Sequence, residues 1–190
     1  MDQAALTTPD GQPLLAVGSA AALGPLRRDL LVRYTRWMND PATRRGLARR
    51  LPITLEAETA WYEGAAADSG RAAYFTVYDR QDLTPVGTTS LGGIDHANGT
   101  AEFGIMLGER RGRGIGTDAA RLTLYWAFDE LGLHNVMLRV LAWNETALRA
   151  YRRVGFKEIG RRRDAVVAAG GRDDVIFMDI LAAEHATSAR

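Results

Sequence analysis

Residues 110–117 have the sequence Arg-Arg-Gly-Arg-Gly-Ile-Gly-Thr and lie between a predicted strand and a predicted helix. The strand, Ala101–Leu107, alternates apolar side chains with small or polar ones, and the helix from about Gly114 to Leu131 has an apolar face. Glycines let the main chain approach a ligand closely, and the first amides of a helix lack intrahelical acceptors. This context favours a diphosphate or similar anion at the helix start, with a tight strand-to-helix turn as the alternative.

The sequence on either side of this loop predicts an α+β domain. Apolar residues at helical spacing predict a helix over Arg27–Asn39 and a second helix after Pro52, capped by Thr54. We expect a mixed, mostly antiparallel central sheet of about six to seven strands flanked by about four helices. The predicted strands are Ala72–Tyr78, Val86–Ile94, Ala101–Leu107, Val136–Leu141, Lys157–Arg163 and Asp174–Leu181, and a further helix is predicted over Asn144–Val154.

The length of 190 residues corresponds to one domain. We expect that domain over residues 19–182, with a loosely packed N-terminal extension over 1–18 and a C-terminal tail over 183–190. The start carries no basic region, and no apolar stretch approaches the roughly 18 residues that span a bilayer. The sequence therefore predicts a cytoplasmic protein without a membrane partner.

Composition excludes several classes of chemistry. The 24 basic and 23 acidic side chains give a net charge of +1, so nucleic acid is not the expected partner. The absence of cysteine excludes disulfides, thiolate metal sites and an acyl-cysteine intermediate. Three scattered histidines form no metal pattern, so no metal is expected.

Two common phosphate loops fit poorly. A Walker A loop needs Lys-Ser/Thr after its last glycine, but Thr117 and Asp118 follow Gly116. Gly114, Gly116 and Ala119 satisfy the G-x-G-x-x-A dinucleotide pattern. However, an antiparallel meander precedes them and too few strands follow, so a nicotinamide-dependent oxidoreductase is a weaker alternative.

The sequence resembles the GCN5-related N-acetyltransferases, the GNAT superfamily. Arg111-x-x-Gly114-x-Gly116 is similar to their Q/R-x-x-G-x-G/A acetyl-CoA signature. Their N-x-x-A-x-x-x-Y-x-x-x-G-F pattern is matched from Asn144 to Phe156. Upstream, Trp37-Met38-Asn39-Asp40, Pro52–Glu56 and Trp61 resemble the RimJ/RimL-type branch.

This resemblance implies acetyl-CoA as co-substrate and assigns residues to it. The loop amides would bind the CoA diphosphate, and a strand that splays from its neighbour would pair with the pantetheine through its backbone. The implied cofactor-binding residues are Ile105, Met106, Leu107, Arg111, Gly112, Arg113, Gly114, Ile115, Gly116, Thr117, Asn144 and Tyr151.

The resemblance also implies catalytic and acceptor residues. Tyr151 would act as general acid toward the departing sulfur, and Glu102 would act as the base for the amine, with Asp95 and His96 in reserve. From the residues alone, Tyr151 is equally a core aromatic and Glu102 equally a solvated or paired strand carboxylate. Implied substrate contacts are Trp37, Trp61 and Tyr62, for which core packing is the alternative.

The function expected is acetyl transfer from acetyl-CoA to a primary amine by direct attack in a ternary complex. A non-catalytic CoA-binding module of the same fold is the alternative. Protein N-termini, amino acids, polyamines and antibiotic amines all stay open as acceptors. The resembling branch also makes a homodimer an expectation.

Overall fold

The computed structural model describes residues 7–67, 70–168 and 171–188. Its strands are β1 (Ala16–Val17), β2 (Ala21–Pro25), β3 (Ala73–Asp79), β4 (Pro85–Asp95), β5 (Thr100–Leu107), β6 (Asn135–Leu141), β7 (Lys157–Ala168) and β8 (Gly171–Leu181). Its helices are α1 (Leu31–Asn39), α2 (Pro41–Gly46), α3 (Leu55–Ala67), α4 (Ile115–Tyr125), α5 (Glu145–Val154) and α6 (Ala182–Ser188). A short 3-10 turn, Arg28–Leu30, precedes α1, and a wide helical turn, Trp126–Glu130, follows α4.

The strands of the described residues form one sheet with the order β1-β2-β3-β4-β5-β6-β8-β7. Neighbours are antiparallel except β5 and β6, which are parallel. A dinucleotide-binding fold needs several parallel strands joined by helices, so this topology does not fit one. The predicted mixed, mostly antiparallel α+β fold is confirmed.

Helices cover both faces of the sheet. On one face, α4 and α5 bury Ala120, Leu124 and Leu148 against inward-facing strand residues such as Phe103 and Leu138. On the other face, α1 packs with α3 over a smaller part of the sheet, where Leu31, Tyr34 and Trp37 meet Met106 of β5. The two faces therefore differ, because the second leaves much of β5, β6 and β8 uncovered by helix.

The described residues contain eight strands and six helices, more than predicted, and the additional elements have identifiable causes. The sequence does not predict strand β2, because its alanines are poor strand formers, yet Ala21–Leu23 are fully buried. Helix α2 begins directly after α1 ends, because the carboxylate of Asp40 accepts the N–H groups of Ala42 and Thr43 at 3.0 and 2.9 Å.

Both chain ends are more ordered than predicted where the structure describes them. Thr8 is buried, Thr7 pairs with Pro13, and Asp10 forms an ion pair with Arg27, so residues 7–18 pack against the domain. The predicted tail starts as α6 rather than as irregular chain. Residues 1–6, 189 and 190 lie outside the described residues. Among the described helices, none has both the length and the apolar character that crossing a bilayer requires.

Candidate active site

The parallel strands β5 and β6 separate after three residue pairs. They pair at Thr100↔Asn135, Ala101↔Val136 and Glu102↔Met137, and beyond these positions β5 continues its ladder with β4 while β6 follows β8. We call the opening between residues 103–107 and 138–141 the wedge. Its facing backbone edges have no ladder partner within the described residues, so they offer hydrogen bonds to an extended ligand. The splay that the resemblance implied is present.

The glycine-rich loop lies at the end of β5, beside the wedge. Gly112 and Gly114 have φ values of +82° and +79°, and a Cβ added to either would meet nothing within 4 Å. No side chain caps α4, and its first main-chain hydrogen bond runs from the N–H of Asp118 to the carbonyl oxygen of Gly114. Within the described residues the N–H groups of residues 115–117 therefore have no acceptor, and the helix dipole adds positive potential there. This is the geometry of an anion site.

An acid in the first turn of α4 is held away from that site. The Oδ2 atom of Asp118 accepts the N–H groups of Ala20 and Ala21, at 2.7 and 2.9 Å. Gly18 is required for this approach, because a Cβ there would lie 2.4 Å from the same oxygen. The carboxylate is thereby engaged by β2 and its preceding turn rather than by the open amides of the loop.

The arginines of the loop make contacts within the protein. Arg110 reaches Asp79 and Asp82 at 2.6 and 2.8 Å, and it holds the pKa of the Asp79 carboxyl below its usual range. Arg111 donates to the carbonyl of Leu107 at 2.8 Å and to Oγ1 of Thr43 at 2.5 Å. The guanidinium groups thus fix the loop, and the amides are the groups that face outward.

Tyr151 and Asn144 lie on α5, as the sequence predicts. Asn144 caps the helix, since its Oδ1 accepts the N–H of Ala147 at 3.2 Å. The Tyr151 ring packs edge-on against Phe103, the first residue of the wedge, with ring centroids 6.1 Å apart, and against Phe156 at 5.9 Å. Burial raises the pKa of Tyr151 to about 12, so its hydroxyl stays protonated at neutral pH.

Glu102 occupies the last position at which β5 pairs with β6, at the closed end of the wedge. On the sheet face opposite α4 it lines a cavity of about 620 Å³, together with Tyr74, Gly104 and Met137. Its Oε1 accepts the Nε–H of Arg139 on β6 at 2.7 Å. The predicted base is therefore near the splay, and it is also the paired strand carboxylate that the sequence left open.

The two reserve bases have structural roles. Asp95 accepts the N–H groups of Ala97 and Asn98 and the side-chain amide of Asn98, and these bonds lower its pKa. The Nε2 atom of His96 lies 2.9 Å from the carbonyl oxygen of Gly70. Both residues belong to the β4–β5 turn.

The three predicted acceptor contacts differ in position. Trp37 is 2% exposed, lies against Gly108 and donates its Nε1–H to Glu109 at 2.9 Å, so the structure gives it the core role. Tyr62 packs against the cluster that Trp37 forms with Leu31, Tyr34 and Met106. Trp61 is 41% exposed and stacks edge-on with Tyr74, at 5.1 Å between centroids, beside the 620 Å³ cavity.

Sequence reasoning missed Tyr74, which lines this cavity together with Glu102, and Arg139, which forms an ion pair with Glu102. The period-two pattern of their strands, with Tyr74 on β3 and Arg139 on β6, places such residues on one face, but it does not say which strands are neighbours. Within the described residues, no group of three His, Cys, Asp or Glu side chains is arranged as a metal site.

Residues 22–157 match the family described as Acetyltransferase (GNAT) domain, which is more than half of the chain. A putative ribosomal N-acetyltransferase, YdaF of Bacillus subtilis (strain 168), is 34% identical over 99 residues, which are 52% of this chain and 54% of that protein. Spermidine N(1)-acetyltransferase of Escherichia coli (strain K12) is 34% identical over 111 residues, 56% of this chain and 60% of that protein. The chain thus matches less than two thirds of the length of either relative.

The fold matches a solved structure of spermidine N-acetyltransferase from Vibrio cholerae in complex with CoA and spermine. The TM-score is 0.81 at 24% identity, and the match covers 89% of this chain and 99% of that one. A dodecameric structure of the Vibrio cholerae enzyme matches with a TM-score of 0.77, also at 24% identity, over 91% of this chain and 100% of that one. At such identity the likeness establishes the fold. The sequence match over residues 22–157 shows that this chain belongs to the GNAT acetyltransferase family.

Proposed function

We propose that this chain transfers the acetyl group of acetyl-CoA to a primary amine by direct attack in a ternary complex. The observation that carries the proposal is the wedge, which lies between an open helix start suited to an anion on one side and a half-buried, protonated tyrosine on the other. The amides of residues 115–117 suit the diphosphate, and the unpaired β5 edge at Ile105–Leu107 suits the amides of the pantetheine. Family membership and the relatives' names point the same way.

In the proposed reaction the amine nitrogen bonds to the acetyl carbon while the carbon–sulfur bond breaks, and the sulfur leaves as the CoA thiolate. A thiol titrates near ~8.5, well below the Tyr151 pKa of about 12, so complete proton transfer from Tyr151 is uphill. The hydroxyl therefore assists by donating a hydrogen bond to the sulfur, and solvent supplies its proton. A hydrogen bond to a charged group contributes about 1.5–3 kcal/mol, which is roughly 10- to 150-fold in rate.

The amine must lose a proton to be nucleophilic, because an alkyl amine with a pKa near ~10 is mostly charged at neutral pH. We propose Glu102 as the group that accepts this proton, directly or through water, since it lines the cavity at the closed end of the wedge. Its bond to Arg139 uses Oε1. The described residues give Oε2 no hydrogen bond, so this oxygen is the atom proposed to accept the proton.

The same ion pair favours the second candidate function, a CoA-binding module without catalysis, because it occupies the proposed base. A thiol-release assay with acetyl-CoA and a panel of amines separates the two. Spermidine and peptides that begin with Ala or Ser belong in the panel because relatives are named for polyamine and ribosomal substrates. Steady thiol release with an amine supports transfer, whereas CoA binding in calorimetry without release under any acceptor supports the module.

Two variants test the assigned roles. Tyr151→Phe is expected to lower kcat roughly 10- to 150-fold with the acetyl-CoA Kd unchanged within a few-fold. Glu102→Gln is expected to move the rising limb of the pH–rate profile to higher pH, because the amine must then deprotonate without help. Unchanged turnover in the first variant, or an unmoved profile in the second, rejects the corresponding role.

The homodimer, which the resemblance implies, and the cytoplasmic location, which the sequence predicts, stay proposals. Sedimentation analysis of the purified chain tests the first, and fractionation of the source cells tests the second.

A further inference from the structure

A second cavity, of about 710 Å³, lies between the segment that includes α2 and the ends of β6, β7 and β8. Its wall carries five arginines, one acid, Asp173, and apolar side chains that include Leu141 and Trp143. We call this cavity the arginine pocket, and its arginines are Arg44, Arg45, Arg49, Arg50 and Arg172. Its volume is in the range of sites that hold a small ligand or a short peptide.

The arginine pocket concentrates positive charge that the protein does not neutralise. Among the described residues none of its arginines forms an ion pair. Arg44 and Arg172 donate to main-chain carbonyl oxygens, and the buried Nε of Arg44 has no hydrogen-bond partner in the described part of the chain. Burial raises the pKa of the nearby Glu58 carboxyl, and the charge of Arg49 opposes this rise. Asp173 accepts the N–H of Trp143 at 3.3 Å.

Five guanidinium groups against the carboxyl groups of Asp173 and of Glu58 near Arg49 leave an excess of at least three charges in the arginine pocket, whereas the whole chain has a net charge of +1. The excess is therefore local. Guanidinium groups do not lose their protons in proteins, so their mutual repulsion is screened by dissolved salt and is relieved further when an anion binds among them. Planar forks of N–H groups match carboxylate and phosphate oxygens in particular.

The arginine pocket adjoins the open end of the wedge. Helix α2 lies across that end, because Thr43 is bonded to Arg111 on the β5 side and a Cβ added to Gly46 would lie 3.9 Å from Nδ2 of Asn144 on the β6 side. The pocket begins beyond α2, at Leu141 and Trp143. Residues 138–141 of β6 lie between the pocket and the closed end of the wedge. At ~3.3 Å per residue, this segment spans a distance of about 13 Å.

Resting on the proposed acetyl transfer, we infer that the acceptor is an amine that also carries carboxylates, and that the arginine pocket binds these carboxylates while the amine enters the wedge. The separation of about 13 Å corresponds to some three to four residues of extended peptide. Carboxylates at that distance occur on an acidic N-terminal peptide, whereas a small amino acid is too short to place its amine in the wedge and its carboxylate in the pocket. A polycation is disfavoured, since it would bring like charge to the pocket.

The test compares acceptors that differ only in charge. Three hexapeptide amides beginning with Ser-Ala carry glutamate, glutamine or lysine at the third and fourth positions, and glutamate itself and spermidine complete the set. Thiol release from acetyl-CoA gives kcat/KM for each. We expect the glutamate peptide to exceed the lysine peptide at least tenfold at low salt, with the ratio falling as sodium chloride is added. Preference for free glutamate over the glutamate peptide overturns the inference, because free glutamate is too short to reach from the wedge to the pocket.

Variants connect this preference to the arginine pocket. Arg49→Gln combined with Arg50→Gln is expected to reduce kcat/KM for the glutamate peptide about tenfold, to leave the glutamine peptide within twofold and to leave the acetyl-CoA Kd unchanged. Arg121→Gln, which removes an exposed arginine on α4 across the sheet, is the matched control and should change none of these values.

The outcomes are distinguishable. Turnover with equal or greater preference for the lysine peptide or spermidine overturns the anionic acceptor and leaves acetyl transfer standing. An equal loss of acetyl-CoA affinity in the double variant also overturns it, because the arginines would then serve the coenzyme. No turnover with any amine rejects the proposed function itself, and this inference with it.

Discussion

At Gly108 the fold leaves no room for a side chain, and its substitution gives a sharp test of how the end of β5 meets α1. A Cβ on Gly108 would lie 2.0 Å from Cγ of Trp37 and within 2.3 Å of two further ring atoms. Because real Cβ contacts stay beyond ~3 Å, the ring or the backbone must move by about 1 Å. Trp37 is 2% exposed and bonded to Glu109, so it has no open space to move into.

Gly108→Ala is therefore expected to lower the free energy of unfolding by about 2–3 kcal/mol, the upper part of the range for overpacked cores. For a chain of 190 residues this corresponds to a Tm decrease of roughly 4–12 °C. Urea unfolding followed by circular dichroism measures the first value and calorimetry the second. Gly160→Ala is the control, since a Cβ at that position would meet nothing within 4 Å.

A double-mutant cycle identifies the cause. In a Trp37→Ala background, itself expected to cost about 3–5 kcal/mol, the additional Gly108→Ala change should be neutral or slightly stabilising. A wild-type-like free energy for Gly108→Ala, or an equal cost with and without the Trp37 ring, would refute the packing argument.

Three further predictions concern pH, the loop and the attachment of β2. Burial raises the pKa of Tyr34 to about 12. This contributes stability that is complete below pH ~10 and lost between pH ~10 and ~12, about 2–3 kcal/mol, and a Tyr34→Phe variant with the same alkaline loss would contradict it. Gly114→Ala, at φ +79°, should cost ~1–2 kcal/mol and weaken CoA binding in calorimetry; unchanged affinity would contradict the loop assignment. Asp118→Ala removes the acceptor of two N–H groups, so we expect a loss of about 1–3 kcal/mol and faster amide exchange at Ala20 and Ala21, and unaltered exchange would count against it.

The sequence predicts best what short-range patterns encode. The strand, glycine-rich turn and helix around residues 101–125 appear where the pattern places them, because alternation, left-handed glycines and helical spacing are local properties. Asp40 followed by Pro41 is a local pattern typical of a helix start, and it is the start of α2. The same two residues are equally typical of the end of a helix such as α1.

The remaining features depend on contacts between distant parts of the chain. Glu102 meets Arg139, which is 37 residues away, only because β5 pairs with β6 for three residues before the strands separate. Trp37 is withdrawn from the acceptor side by Gly108 and Glu109, which lie more than 70 residues later. Helical spacing alone does not distinguish a tryptophan at a cleft from one in the core.

The short parallel contact also has a mechanical consequence. Among the described residues, three residue pairs join the ladder of β1–β5 to the ladder of β6–β8, so the sheet has a seam that few backbone hydrogen bonds cross. A ligand lying along the seam would add the missing rungs and tie the two parts together, with a stabilisation that grows as RT ln(1 + [L]/Kd). Hydrogen exchange across both ladders should then slow together on saturation with CoA, because the bound ligand would act as an additional strand between them.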